Sequence, residues 1–270
     1  MAYLGIDVGG TKTLVARLSD DGVIEREEKF PTPASYADFT GELEKVVANF
    51  TSDNIRAVGV GIPGKVDREH GVGTTFGNLG WHNTPIKSDI EHLTGLPVVL
   101  DNDANLAGLS EAMLRKEYQK LLYVTVSTGI GTGVIVDQHI DEALADMEGG
   151  HMMITWNGAP TKWEDFASGR AIVEAYNSRA EDIHDETIWR EIAHKIAIGM
   201  IDLLAITQPD IVVIGGSVGT YFERYGHFLN EELRSLATNM VDIPLIEGAQ
   251  RAEKAVIYGC YDLAKATYHA

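Results

Sequence analysis

The chain has 270 residues, of which 44% are hydrophobic and 23% are charged, so we expect one large α/β domain or two medium ones rather than a disordered chain. Its formal charge of −18 repels the phosphate backbone and disfavours nucleic-acid binding. The single cysteine, Cys260, excludes an internal disulfide and a multi-cysteine zinc site. No apolar run reaches the roughly 18 to 20 residues that span a bilayer, and no signal peptide fits before the strand pattern at Tyr3, so we predict a cytoplasmic protein without membrane partners.

Glycine turns, period-two alternation and helical spacing of apolar residues divide the first half of the chain into elements. The first two strands flank Gly9 and Gly10 and predict a hairpin. In chain order we predict strands at 3–8 and 13–18, a helix at 37–50, a strand at 55–62, a helix from Thr84 with Pro85 at its first position, a strand at 97–100 and a helix at 104–118.

The second half repeats this order. A strand at 123–126, a glycine turn at 127–133 and a strand at 134–136 resemble the opening hairpin at an offset of 120 residues, and a later helix leads into a strand at 211–214. A duplicated α/β domain with a cleft between the copies explains the repetition, and chance similarity of two short glycine turns is the alternative. A final helix is predicted over 253–269.

Glycine turns end three strands, at residues 7–12, 127–133 and 215–217. Glycine lets backbone N–H groups approach phosphate oxygens, and Thr11, Thr128 and Ser217 can add hydroxyl donors. Each turn alone could be an ordinary hairpin turn, but their shared position after strands favours a polyphosphate site.

Two better-known phosphate motifs are excluded. A dinucleotide-binding loop needs a helix after Gly129, whereas residues 134–136 are β-branched and predict a strand. Residues 59–65 have the spacing of a phosphate-binding loop, but Val66 replaces the hydroxyl that would bind magnesium and Pro63 removes an N–H donor.

Several carboxylates could act on hydroxyl groups. Asp103 stands where a strand ends and a helix begins, so it could accept a proton from a bound hydroxyl or could simply cap the helix, which is worth about 1 kcal/mol. Glu148, His151 and Glu164 could hydrogen-bond sugar hydroxyls, or could be solvated loop charges; their irregular spacing is weak evidence for a metal site.

Together, the segments 7–12, 102–105, 127–133, 148–151 and 164–169 resemble the ROK family of sugar kinases and sugar-responsive repressors. The resemblance runs nearly end to end. It implies an α/β fold of the duplicated actin-like or hexokinase type, which is ribonuclease H-like, with sugar and nucleotide meeting in an interdomain cleft. The implied domains are a small one at 1–107, completed by a C-terminal helix at about 256–270, and a large one at 108–255.

The resemblance also implies a role for each matching residue. Asp103 would be the general base that takes a proton from a sugar hydroxyl, usually the 6-hydroxyl, and Asp7 would act on Mg²⁺ through water. The implied sugar-binding residues are Gly64, Asn78, Asn102, Asp103, Glu148, His151 and Glu164. The implied nucleotide-binding residues are Asp7, Gly9, Gly10, Thr11, Lys12, Thr128, Gly129, Gly215 and Gly216.

The sequence departs from the family pattern in two places. Family members commonly carry a cysteine-rich zinc motif between the positions of His151 and Glu164, whereas this chain has none there, so no structural zinc is expected. We hypothesise that Trp156 and Trp163 order the shortened loop instead, because a large buried aromatic contributes about 2 to 3 kcal/mol. The repressors place a winged helix before the first glycine loop, and only six residues precede Asp7.

These features predict a hexose kinase that uses ATP and Mg²⁺, acts on glucose to give glucose 6-phosphate, and serves carbohydrate metabolism in glycolysis. The alternatives within this class are a kinase for fructose or an N-acetylhexosamine such as N-acetylmannosamine, and a glucokinase that uses polyphosphate. The alternative from another class is a non-catalytic sugar-binding sensor. The resemblance further implies a homodimer.

Overall fold

The structure is a computed structural model that describes residues 1–50, 54–77, 79–251 and 253–268. Its contacts divide the chain into two compact units. Unit 1 consists of Met1–Ser110 and Lys254–Ala270, and unit 2 consists of Glu111–Glu253. None of the helices in the described ranges is long and apolar enough to cross a membrane.

The strands and helices of unit 1 come first in the chain, except for its last helix, which follows all the elements of unit 2. From the N-terminus they are β1 (Ala2–Val8), β2 (Lys12–Ser19), β3 (Ile24–Pro31), α1 (Tyr36–Ala48), β4 (Ile55–Ile62), β5 (Lys65–Asp67), β6 (Val72–Thr75), β7 (His82–Thr84), α2 (Ile86–Thr94), β8 (Val98–Asn102) and α3 (Asp103–Ala112). They continue with β9 (Lys120–Val126), β10 (Ile130–Val136), β11 (His139–Ile140), β12 (Met153–Trp156), β13 (Ala159–Lys162), α4 (Trp163–Ala167), α5 (Gly169–Tyr176), α6 (Glu186–Thr207), β14 (Ile211–Gly215), α7 (Gly216–Gly219), α8 (Phe222–Leu236), β15 (Leu245–Gly248) and α9 (Ala255–Tyr268).

The main sheet of unit 1 has the strand order β3-β2-β1-β4-β8. The first two pairings are antiparallel and the last two are parallel. Because side chains alternate along a strand, Leu4 and Ile6 pack in the cluster that contains α1 and α2, whereas Tyr3 packs in the cluster that contains α9. The sheet is therefore covered by helices on both faces.

Helix α9 packs very closely against the centre of this sheet. A Cβ atom added to Gly59 on β4 would lie 2.0 Å from the backbone oxygen of Cys260 on α9. Only glycine allows this approach. The last described helix of the chain thus completes the core of the unit that contains its first strand.

The main sheet of unit 2 repeats the same plan. Its strand order is β11-β10-β9-β14-β15, with antiparallel pairing in the hairpins and parallel pairing of β9, β14 and β15. Its core includes Trp163, Trp189 and the buried face of α6. The predicted repeat of hairpin, helix and strand therefore corresponds to two sheets of equal strand order.

The structure corrects three predicted element boundaries. The helix expected over 104–118 ends at Ala112, and the helix expected from Thr84 begins at Ile86, because Thr84 belongs to β7. The second strand of the unit 2 hairpin begins at Ile130 rather than at Val134, because Ile130 already pairs with Val126. A strand rather than a helix thus follows Gly129, which excludes a dinucleotide-binding loop as predicted.

Candidate active site

The first glycine turn joins the carboxyl end of β1, the central strand of the unit 1 sheet, to β2. Asp7 is half-buried near the end of β1, and Gly10, Thr11 and Lys12 are exposed in the turn. The Gly9 amide donates to the Lys12 carbonyl over 3.1 Å, which closes the turn. A ligand can therefore come close to the exposed backbone of this turn.

Burial raises the pKa of Asp7 to about 7. The charge of Asp103 adds to this rise, and Lys12 and Lys29 oppose it. A carboxylate with this pKa gains from a cation placed beside it, because the cation offsets both causes of the rise.

A second group of polar residues lies where β8 runs into α3. The Asn102 side-chain oxygen accepts hydrogen bonds from the amides of Ala104 and Asn105, at 2.8 and 3.3 Å, and so caps the helix. Asp103 is the first residue of α3, and its Oδ1 accepts a further bond from the Ala104 amide at 2.8 Å. The helix start therefore has a cap from Asn102, and the half-buried Asp103 carboxylate is not the sole cap.

The amide group of Asn102 also binds the turn after β4. Its Nδ2 donates to the Gly64 carbonyl over 2.9 Å. An amide has two N–H donors, so this bond leaves the second for a further acceptor. Two of the predicted sugar-binding residues, Gly64 and Asn102, are thus directly linked, whereas Asn78 lies outside the described residues.

In unit 2, three of the predicted residues meet beside the second glycine turn. Glu164 Oε1 lies 3.5 Å from His151 Nε2, and Glu164 Oε2 accepts a bond from the Ile130 amide at 3.4 Å. A Cβ atom on Gly129 would lie 2.6 Å from the same Oε2. Gly129 therefore leaves room for Glu164, which lies in the first turn of α4.

The neighbouring residues Glu148 and His151 flank a short 3-10 turn. This turn spans Gly149–His151, and the His151 amide donates to the Glu148 carbonyl over 3.0 Å. His151 is exposed, whereas Glu148 is half-buried. The turn and the contact with Glu164 together orient the imidazole.

The loop that lacks the cysteine motif folds as a β-hairpin. Strands β12 and β13 pair around Asn157 and Gly158, which both have positive φ angles of 50° and 80°, as two-residue hairpin turns require. Trp156 stacks on Phe166 with ring centroids 4.5 Å apart. Trp163 is fully buried, and its Nε1 donates to the Lys195 carbonyl. Hairpin pairing and these two tryptophans hold the segment.

A cavity of about 420 Å³ lies in unit 2 beside the glycine turns. Thr128 and Ser217 line it, and Val173 and Tyr221 contribute apolar surface. Its volume is in the range of small-molecule sites. Gly215 is buried and Gly216 half-buried just before Ser217, so the second and third glycine turns border one space.

The donor set near Asp7 fits a magnesium ion that is bound partly through water. Mg²⁺ prefers oxygen ligands, keeps several waters and takes one or two carboxylates together with substrate phosphates. Asp7 and Asp103 are two such carboxylates, and they lie close enough for the charge of Asp103 to raise the pKa of Asp7. Among the residues that the structure describes, no three His, Cys, Asp or Glu side chains form a closed metal site.

Comparison with known proteins identifies the family. The model of the ROK family matches residues 3–267. The chain belongs to the ROK family.

Two curated relatives show the range of this family. The chain is similar to a glucokinase from Streptomyces coelicolor, at 26% identity over 97% of both chains. It is also similar to an N-acetylmannosamine kinase from Citrobacter koseri, at 31% identity over 86% of this chain and 90% of that protein.

A solved structure of the same family confirms the predicted fold. The crystal structure of a ROK family glucokinase from Streptomyces griseus, in complex with glucose and AMPPNP, has a TM-score of 0.85 to this chain at 24% identity. The alignment covers 98% of this chain and 100% of that one. The α/β fold of the actin-like or hexokinase type is therefore confirmed.

Sequence patterns did not indicate several residues of this ROK protein's candidate site. Arg68 and Asp101 form a buried ion pair beside Asn102, and Tyr221 lines the cavity. Arg68 lies in the short connection between β5 and β6, where no motif marks it. Tyr221 follows a very short helix, and nothing in the local pattern distinguishes it from a core aromatic.

Proposed function

We propose that this protein is a hexose kinase that transfers the terminal phosphoryl group of ATP to the 6-hydroxyl of glucose. The coarser statement, that the chain is a sugar kinase, follows from its family and from kinases among its relatives. The choice of glucose rests on the similarity to glucokinases over nearly the whole chain.

The observation that carries this proposal is the β8–α3 junction. Asn102 supplies a cap for α3, and Asp103 holds a half-buried carboxylate beside the charge of Asp7. We assign Asp103 as the general base. It accepts the hydroxyl proton as the sugar oxygen attacks the terminal phosphorus of ATP, whose bond to the ADP oxygen then breaks.

The other predicted residues take binding roles in this proposal. In unit 1, Gly64, Asn78 and Asn102 bind the sugar, and in unit 2 so do Glu148, His151 and Glu164. Paired carboxylate and imidazole groups, as at Glu164 and His151, bind hydroxyls as acceptors and donors with fixed geometry.

The phosphates and the nucleoside bind through the glycine turns. The phosphate-binding residues are Gly9, Gly10, Thr11, Lys12, Thr128 and Gly129. The cavity beside Ser217 would take the adenosine, with Gly215 and Gly216 at its border and Tyr221 in its wall. Asp7 would hold Mg²⁺ through water, and the ion would neutralise charge on the phosphates.

A substrate panel tests the proposal. Glucose, mannose, fructose, N-acetylglucosamine and N-acetylmannosamine are each combined with ATP or polyphosphate, and both ADP and sugar phosphate are measured. We expect ATP-dependent phosphorylation with the highest kcat/KM for glucose. Sugar binding without any product would favour a sensor, and product formed only from polyphosphate would overturn the choice of donor.

A further inference from the structure

Arg68 and Asp101 form a bidentate ion pair in unit 1. Arg68 Nε donates to Asp101 Oδ2 over 2.8 Å, and Nη2 donates to Oδ1 over 2.9 Å. The Asp101 side chain is only 6% exposed, and that of Arg68 is 28% exposed. A guanidinium group matches a carboxylate in this two-bond geometry, which lysine cannot reproduce.

The same carboxylate organises the backbone around Asp103. Asp101 Oδ1 accepts a bond from the Asn102 amide at 2.7 Å and another from Asn105 Nδ2 at 2.9 Å. The first contact fixes the backbone of Asn102, one residue before Asp103, and the second holds the side chain of Asn105, two residues after it. The orientation of the Asp103 backbone therefore depends on where the Asp101 carboxylate lies.

The ion pair also joins two segments that carry proposed sugar-binding residues. Arg68 follows β5, shortly after Gly64, and Asp101 lies at the end of β8. The bond from Asn102 to the Gly64 carbonyl links the same two segments. Loss of the guanidinium would leave a buried carboxylate without its cation, and that carboxylate would have to move toward water or take up a proton.

We infer that Arg68 is a positioning residue for the phosphorylation reaction: its two-bond contact with Asp101 holds Asn102 and the Asp103 carboxylate in the geometry that the sugar requires. This inference rests on the proposed function. Arg68 acts through Asp101 and takes no part in proton or phosphoryl transfer.

The test compares Arg68→Met and Arg68→Lys with the control Arg17→Met. Arg17 also forms an ion pair in unit 1, with Glu25 at 2.7 Å, and its side chain is 27% exposed. We expect Arg68→Met to lower kcat/KM for the hexose at least about tenfold, because small displacements of reacting groups are costly. Arg68→Lys should fall between this variant and the wild type, and Arg17→Met should stay near the wild type.

Two further readouts separate positioning from stability. The KM for ATP should stay within about twofold of the wild type in every variant, because only sugar geometry changes. Adding Asp101→Asn to Arg68→Met should recover part of kcat/KM, since it removes the unpaired buried charge. Assays are run well below each melting temperature, so that only folded enzyme is measured.

The outcomes decide between the two proposals. Wild-type kcat/KM in folded Arg68→Met overturns the positioning role; if this variant does not fold, wild-type kcat/KM in Arg68→Lys does the same. If the wild type binds hexose but forms no product, the proposed function fails. Calorimetry of hexose binding then tests Arg68 separately, and equal affinity in Arg68→Met and the wild type overturns its role.

Discussion

The two units share a strand order but differ in the chemistry at the ends of equivalent strands. In unit 1, β1 ends near Asp7, and β8 leads into Asp101 and Asp103, so ionisable groups collect there. In unit 2, the position equivalent to Asp7 is Ser127, and β14 leads into glycines and Ser217. The same scaffold therefore carries a cluster of aspartates in unit 1 and, in unit 2, a cavity whose lining combines hydroxyl groups with arginine side chains and one glutamate.

Under the proposed function, this difference assigns the two units different tasks in the reaction. In unit 1, burial and the neighbouring charge of Asp103 raise the pKa of Asp7, and shifts of this kind are common among carboxylates at functional sites. In the proposed function, the phosphates and nucleoside would instead bind at the unit 2 cavity, whose lining includes hydroxyl groups and the apolar surface of Val173 and Tyr221. The two tasks thus fall to different residues, which lie on two sheets of equivalent strand order.

The largest expected effect concerns Asp103 in the aspartate cluster of unit 1. Asp103→Asn should lower kcat by about 100- to 10,000-fold, the usual contribution of a general base, because an amide cannot accept the proton. Hexose affinity, measured by calorimetry, should change little. Asp38→Asn is the control, because Asp38 also lies in the first turn of a helix of unit 1. Asp103→Asn activity within a few-fold of the wild type would refute the role of base.

The next effect concerns Trp163, the first residue of α4, which directly follows the β12–β13 hairpin of unit 2. Trp163→Ala should lower the free energy of unfolding by about 3 to 5 kcal/mol, because it empties a fully buried site against α6. Urea denaturation measures the loss, and Trp156→Ala, at a half-buried position, should cost less. Equal losses of unfolding free energy in the two variants would contradict the prediction that the fully buried Trp163 stabilises unit 2 more than Trp156 does.

The pKa of Asp7 predicts a pH effect on stability. Its folded-state value of about 7 lies above its ordinary value of 3.8, so the unfolded chain ionises first and stability falls as pH rises from about 4 to 7. Asp7→Asn removes this fall and should be more stable than the wild type at pH 8, by about 1 to 2 kcal/mol after allowance for solvent screening. The difference should vanish near pH 4.

Thermal unfolding without magnesium or nucleotide measures this effect. Asp21→Asn is a suitable control, because Asp21 is an exposed turn residue of the same unit. A wild-type melting temperature that rises from pH 4 to 7 relative to Asp7→Asn would show that burial does not raise the pKa of Asp7.

The smallest expected effect concerns the unit 2 cavity. Tyr221→Ala should raise the KM for ATP about five- to tenfold, because it removes an aromatic wall of the cavity worth about 1 kcal/mol. The KM for hexose should stay constant. Tyr176→Ala, a half-buried tyrosine that does not line this cavity, serves as the control. An unchanged KM for ATP in Tyr221→Ala would contradict the proposal that the nucleotide binds in this cavity.

Local signals predicted much of the fold and only part of the site. Alternation and glycine turns gave both hairpins, because strand pairing across a short turn is a local event. The end of α3 at Ala112 differs from the prediction because the amides of Leu114 and Arg115 bond the carbonyls three residues before them, Glu111 and Ala112, as at a tightened helix end. No glycine or proline in the sequence marks this point. The β12–β13 hairpin was also missed, although the Asn157–Gly158 pair is a known turn signal.

The site residues divide in the same way. Asp103 and Glu164 lie in motifs that a sequence displays, and the structure shows their surroundings. The partnership of Arg68 with Asp101 depends on a tertiary contact between segments 33 residues apart. Spacing along a chain does not encode such a contact.

The docking of α9 on Gly59 ties the maturation of unit 1 to the order of synthesis. The strand face that carries Tyr3, Leu14 and Ala57 is made early, but α9, which covers it, is translated only after all of unit 2. During synthesis this face remains exposed to solvent, while unit 2, which is translated before α9, can already fold. A chain that ends before residue 255 would therefore leave the apolar surface of the first strands exposed. Proteases that recognise exposed apolar surface would then act near the N-terminus, although the missing segment is at the C-terminus.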